Sequence, residues 1–306
     1  MMVHTCPEQV NLFIKQILFD TKMDIYIHID KNHSDIRNKL IASDRIRFTK
    51  ESVAVTWGGE NILMGHLLLM KEVIHSGIDY HYITFNSGQD LMIRSGVEDF
   101  INRQTDRIFG YGFEDDGNRR AFIMHRWPDF FRRRIDFKLH PVKILRRTRL
   151  EFYKRFPYFN QKKTVYDTST LRFYYNDWWV TMPLEVMKYV SRFADEHPDF
   201  VDIYRDGMAS EEAFVFTVIM QSKYKGGIKF NQNGKSEALL YQEVSHNGHS
   251  TTVRMKDIKK LEADDKKDFF FSRKFDINED AEAVEYFYKK ICDNPSLGED
   301  RYTKNC

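Results

Sequence analysis

The chain has 306 residues, 42% of them hydrophobic and 15% aromatic, with a formal net charge of +2. That composition supports one sizeable core or two small ones and excludes a disordered chain. A charge so near zero, on a chain with 30% charged residues, argues against a molecule-wide field for nucleic acid or a membrane surface, so any electrostatic function must be local.

In chain order, a helix from Pro7 to about Leu18, with proline at its start, precedes the β-rich run "DIYIHID" (24–30). A helix from Ser34 to Ile41, the strand "RIRF", the stretch "SVAVTWGG", the helix "ENILMGHLLLMKEVIHSG" closed by Gly77, and the strand "HYITFNSG" follow. This alternation predicts an α/β, Rossmann-like fold with a mostly parallel sheet and flanking helices. Ligands in such folds sit beyond the carboxyl ends of the strands, where Asp30, Trp57 and the segment 87–90 fall.

From 125 to 163 the chain is basic and aromatic without strong apolar periodicity, with ten Lys or Arg residues between Arg132 and Arg155. It reads as an inserted lobe or rim within 113–170. Beyond it come the strand-like "LRFYYNDWWV", a helix from Pro183 to His197, a helix beginning near Ser210, a Gly/Asn/His-rich loop around 225–250, a helix from Glu279 to Ile291 and a tail at 293–306. With no repeat and no linker, one domain over 1–306 is expected.

Apolar runs such as "AFVFTVIM" (213–220) fall short of the roughly 20 residues of a membrane span, and "MMVHTCPEQV" carries no signal-peptide pattern. A cytoplasmic location is the expectation. Cys6, Cys292 and Cys306 are isolated and read as reduced, structural thiols. His246 and His249 share a loop without an evident third ligand, and His4, His28 and His66 read as packed side chains.

In "ASEEAFVFTVIM", Ser210 stands as an N-cap with Glu211 and Glu212 in the first turn, which reads either as a charged helix start or as the seat of a general base. In "FFFSRKFD" (269–276), Arg273 and Lys274 stand side by side among phenylalanines, a fork and a point charge suited to a diphosphate. The alternative is a solvated basic pair. The chain contains no glycine-rich phosphate loop and no Asp-x-Asp, which favours protein cations over a metal as the charge neutraliser.

These residues resemble the core-2/I-branching N-acetylglucosaminyltransferase and peptide O-xylosyltransferase family. The segments that carry the resemblance are "IYIHIDK" (25–31), "VTWGGENILMGHLLLM" (55–70), "ITFNSGQDLMI" (83–93), "YYNDWWVTMPLEVMKYV" (174–190), "SEEAFVFTVIMQS" (210–222) and "FFSRKFD" (270–276), the last being the most specific. The resemblance implies a GT-A-like fold and an inverting, metal-independent transfer from a UDP-sugar, N-acetylglucosamine first and xylose second, to a hydroxyl of a glycan or lipid-linked glycan in surface polysaccharide biosynthesis. By position Glu212 would be the base, with Glu211 as the fallback, since Ala209-Ser210-Glu211-Glu212 stands where the family has Ser-Pro-Asp-Glu. Arg273 and Lys274 would hold the diphosphate, and Val3, Asp30 and Trp57 would line the uridine. Asp90, Trp178 and Trp179 are candidates for the transferred sugar or the acceptor, against structural readings of a turn cap and packed rings. The expected member is of the bacterial type, cytoplasmic or peripheral at a membrane. Two other readings stay open: a sugar-nucleotide binder without catalysis, and a basic lobe that binds nucleic acid or an anionic membrane.

Overall fold

The computed structural model describes residues 1–133, 135, 140–245, 250–263 and 268–293. His246, His249, residues 134 and 136–139 of the basic lobe, and the tail from 294 lie outside the described residues. The strands are β1 (Met2–Val3), β2 (Ile25–Ile29), β3 (Ile46–Phe48), β4 (Tyr82–Thr84), β5 (Leu91–Met92), β6 (Gly112–Glu114), β7 (Tyr174–Asn176), β8 (Thr181–Pro183), β9 (Leu240–Gln242) and β10 (Phe271–Arg273). The helices are α1 (Pro7–Asp20), α2 (Asn61–His75), α3 (Val97–Asn102), α4 (Asn118–Met124), α5 (Pro141–Arg155), α6 (Leu184–Glu196), α7 (Pro198–Asp202), α8 (Phe214–Met220), α9 (Ile258–Leu261) and α10 (Ala281–Cys292).

The fold is mixed α/β. β1, β2 and β3 form a parallel sheet in that order. The segment after β4 extends it, because the Met2 N–H donates to the Asn86 carbonyl at 3.1 Å and the Gly88 N–H to the Met2 carbonyl at 3.0 Å. The expectation of one mostly parallel sheet needs correction. β4 pairs antiparallel with β8, β6 antiparallel with β7, and β10 lies between an antiparallel β5 and a parallel β9. Strands of two to five residues reveal their length and apolar character in sequence, but not the distant partner each one meets.

Helix α1 opens with Pro7 and Glu8 in its first turn and buries Val10, Phe13, Ile14 and Ile17, the i, i+3, i+4, i+7 stripe that packs a helix on a core. With β2, β5, β10 and α10 it encloses one apolar cluster, which includes Phe13, Ile27, Met92, Phe271 and Phe287. A second surrounds α2, β8, α6 and α8 with Met70, Met182, Met187, Phe214 and Phe216. Each such side chain, fully buried, contributes about 1.5–3 kcal/mol.

Two expectations about elements change. The helix placed at Ser34–Ile41 is a 3₁₀ segment, Lys31–Lys39, interrupted at His33. Of its side chains only Ile36 is buried, so no apolar stripe sustains an α-helix there. The basic lobe, conversely, contains α5. Its inward positions are Val142, Arg146, Arg149, Leu150 and Tyr153, helical in spacing but with two arginines among them, which hides the period. The Arg149 guanidinium lies 5.0 Å over the Tyr153 ring and 5.7 Å over Trp127, and Arg146 donates to the carbonyls of Phe131 and Arg133 at 2.5 and 2.9 Å.

Candidate active site

Strand β10 carries Arg273 to the centre of a cluster of buried charge. Hydrogen bonding to β5 and β9 on either side fixes its position, and Arg273 faces Gln242 in the β9 register. The residue is 9% exposed, the guanidinium carbon lies 3.5 Å from the centre of the Trp179 ring, and Nη1 stands 3.8 Å from Asp90 Oδ1. Nε and Nη1 have no hydrogen-bond partner among the described residues. A buried guanidinium with unmet donors is costly unless an acceptor meets it. The peptide bond from Arg273 to Lys274 is cis. The next residue, Lys274, is half-buried.

Asp90 is fully buried and closes the turn after Asn86: one oxygen accepts from the Ser87 N–H at 2.7 Å and from Trp179 Nε1 at 2.8 Å, the other from Ser87 Oγ at 2.9 Å. Burial raises its pKa against the opposing pull of Arg273. These bonds are those of the turn-cap reading of Asp90. It holds the Arg273–Trp179 stack.

The two tryptophans lie in the bend between β7 and β8 and turn to different surroundings. Trp178 is 5% exposed and stacks on His66 at 3.8 Å within the core, as the packed-ring reading expects. His66 Nδ1 donates to the Ile62 carbonyl at 2.9 Å, and burial pulls the pKa of the ring to about 3, which makes it a neutral imidazole. Trp179, half-buried, is the floor under Arg273.

The acidic turn meets this cluster from α8. Ser210 is not the N-cap. It is the first residue of a 3₁₀ turn, Ser210–Ala213, and its Oγ donates to the Tyr204 carbonyl at 2.8 Å. Ala209 occupies the cap position at φ 44°, and its N–H donates to the Gly58 carbonyl at 2.9 Å. Gly58 itself has φ +68°, a conformation that favours glycine. This contact seats the Trp57-Gly58-Gly59 turn against the start of the acidic segment.

Glu211 and Glu212 diverge from there. Glu211 is 4% exposed, its Oε2 has no partner among the described residues, and burial together with the neighbouring Glu212 charge pushes its pKa up to about 8. Glu212 has a side chain one-third exposed, and its Oε2 accepts from Arg119 Nη1 at 2.7 Å. Arg119 lies 4.3 Å over the Tyr175 ring, which sets its direction. Of the two carboxylates, only Glu212 is both oriented and accessible.

Asp177 is a member that sequence reasoning missed. It is buried, accepts from Gln242 Nε2 at 3.0 Å, and leaves Oδ1 without a partner among the described residues. Burial raises its pKa well above the carboxylate range, Arg273 opposes this, and Glu212 and Asp90 add to it. These interactions draw Asp90, Asp177, Tyr175 and Glu212 around Arg273. An acid between aromatic residues in "YYNDWWV" was the available signal for Asp177. Arg119 gave none, standing 93 residues before the carboxylate it binds.

The remaining positions lie on the adjoining rim. The Asp30 N–H donates to the Val3 carbonyl at 2.9 Å, and Asp30 Oδ1 accepts from the N–H groups of Asn32 and Val55 at 2.9 and 3.2 Å. Val3 and Asp30 are themselves buried. Burial lowers the pKa of His4, next to Val3 in the chain, and the charges of Lys274, His33 and Arg273 add to this while Asp30 opposes it. Trp57 is 37% exposed, with the Arg146 guanidinium 5.3 Å from its ring centre. His28 accepts from the Val53 N–H at 3.1 Å and is packed. Among the described residues no group of three or more His, Cys, Asp or Glu is arranged to hold a metal ion.

No protein-family model matches the chain, and no curated protein matches it in sequence comparison.

Proposed function

We propose that the chain is an inverting, metal-independent glycosyltransferase of GT-A-like fold that transfers a sugar from a UDP-sugar to a hydroxyl of a glycan acceptor. The observation that carries this reading is the convergence on Arg273, in one buried cluster, of segments more than 180 residues apart, the distance from Asp90 to Arg273. A guanidinium held by Trp179 and Asp90 with donors unmet is suited to diphosphate oxygens, whose charge offsets its burial. Lys274 adds a point charge at the same end of β10.

In this reading Glu212, aimed by Arg119, takes the proton of the acceptor hydroxyl. The oxygen forms its bond to the anomeric carbon as the bond from that carbon to the diphosphate oxygen breaks on the opposite face. The proton rests on Glu212, and Arg273 with Lys274 stabilises the charge that develops on UDP. Glu211, protonated at neutral pH, places no second negative charge beside Glu212. Val3, Asp30 and Trp57 form the nucleoside end, with the Asp30 N–H donating to the Val3 carbonyl. N-acetylglucosamine is the first choice of donor sugar and xylose the second, by family resemblance.

Isothermal titration with UDP, with and without EDTA, tests the reading. Binding is expected to survive the chelator and to weaken by roughly tenfold to a hundredfold in the Arg273→Ala, Lys274→Ala variant. A folded protein that does not bind UDP would overturn it.

A further inference from the structure

Helix α5 presents two faces of different chemistry. The inner face packs on the small cluster of Trp127, Phe131 and Tyr153 and reaches the candidate site, with Arg146 over Trp57 and, from the preceding turn, Arg132 on Glu60 at 2.5 Å. The outer face and the turn that follows leave Ile144, Leu145, Phe152, Phe156, Tyr158 and Phe159 between 40% and 89% exposed. These are not scattered side chains. The Phe152 ring lies 5.1 Å from both Phe156 and Phe159, and Ile144 and Leu145 stand two turns earlier, near the same stripe. Exposed Arg147, Lys154, Arg155 and Lys163 flank them, while Glu151 is the helix's one acid and lies 4.0 Å from Lys154.

We propose that this surface docks on an anionic lipid bilayer, with the aromatic and aliphatic tips entering the headgroup boundary and the flanking cations meeting lipid phosphates. A contiguous exposed apolar patch marks an interaction site. Its combination with Lys and Arg on one helix is the chemistry of an interfacial anchor. Nucleic acid fits less well, because Ile144 and Leu145 offer no ring on which a base can stack. The arginines that hold the lobe together, Arg146 and Arg149, face inward, so the outward cations are free of that structural duty. The proposal does not depend on the transfer reaction.

The test is co-sedimentation of the full chain with vesicles of phosphatidylcholine alone and of phosphatidylcholine mixed with phosphatidylglycerol. The protein is expected to prefer the anionic vesicles by about tenfold or more and to lose that preference as salt is raised. Phe156→Ser with Phe159→Ser, and separately Arg147→Glu with Arg155→Glu, should each reduce binding by about tenfold. Both pairs are exposed, so melting temperatures close to that of the parent are expected and verify folding. A protein that stays in the supernatant with anionic vesicles, or a phenylalanine variant that sediments like the parent, would overturn the proposal. So would an oligonucleotide that displaces the vesicles and binds the phenylalanine variant unchanged, which would assign the patch to nucleic acid.

Discussion

Glu212 and Glu211 show how little a residue's identity says before its surroundings are known. Adjacent in the chain and alike in chemistry, one is held by Arg119 at the edge of the cluster, and the other is buried with an elevated pKa. If Glu212 is the base, Glu212→Gln should lower kcat by about 10²- to 10⁴-fold and leave UDP affinity nearly unchanged, because the amide retains the shape and loses the proton acceptor. Steady-state rates alongside a UDP titration check this. Unaltered turnover would return the role to another group. Trp178 and Trp179 divide similarly: the sequence shows a pair, and only the bend between β7 and β8 sends Trp178 to His66 and Trp179 to Arg273.

At the scale of elements, the junction of β7 with α8 carries the geometry of the candidate site. Asn176, fully buried at the end of β7, accepts from the Phe216 N–H at 3.1 Å and donates to the Asp177 carbonyl at 2.8 Å. One amide thus ties Asp177 to the helix that follows the acidic turn. Asn176→Ala would leave both partners buried and unsatisfied, at about 1–3 kcal/mol each, and urea unfolding should record a loss of at least about 2 kcal/mol. Helices α1, α2, α6 and α10 were legible in the sequence to within a few residues, because their apolar stripes repeat at the helical period. Helix α5 was not, because Arg146 and Arg149 fill inward positions by stacking on rings or bonding to carbonyls, and hydropathy reads such positions as outward.

For the whole molecule, the buried carboxyls couple stability to pH. Glu211 holds its proton in the folded state up to about pH 8, against about 4.5 for an ordinary glutamate. The folded chain therefore binds more protons than the unfolded one between these values, so stability falls as pH rises through that window, by up to about 1.4 kcal/mol per unit for one group. Asp177 and Asp90, also raised, act in the same direction. Glu211→Gln should flatten part of this slope: melting curves of the variant and the parent should converge near about pH 5, and the variant should melt higher near about pH 9. Equal slopes would mean that Glu211 ionises without penalty. The sequence alone determined the class of fold, the principal helices, and the residue types from which a site could be assembled, since periodicity and local composition are written along the chain. It also pointed to Arg273, Lys274 and the acidic turn, because their neighbours are distinctive. Pairing of short strands, the arginine that orients Glu212, the burial of Asp90 and Trp178, and the place of Asp177 were decided by the tertiary structure. These depend on contacts between residues tens to hundreds of positions apart, and on burial that sets the charge of a carboxyl, neither of which any local stretch of sequence contains.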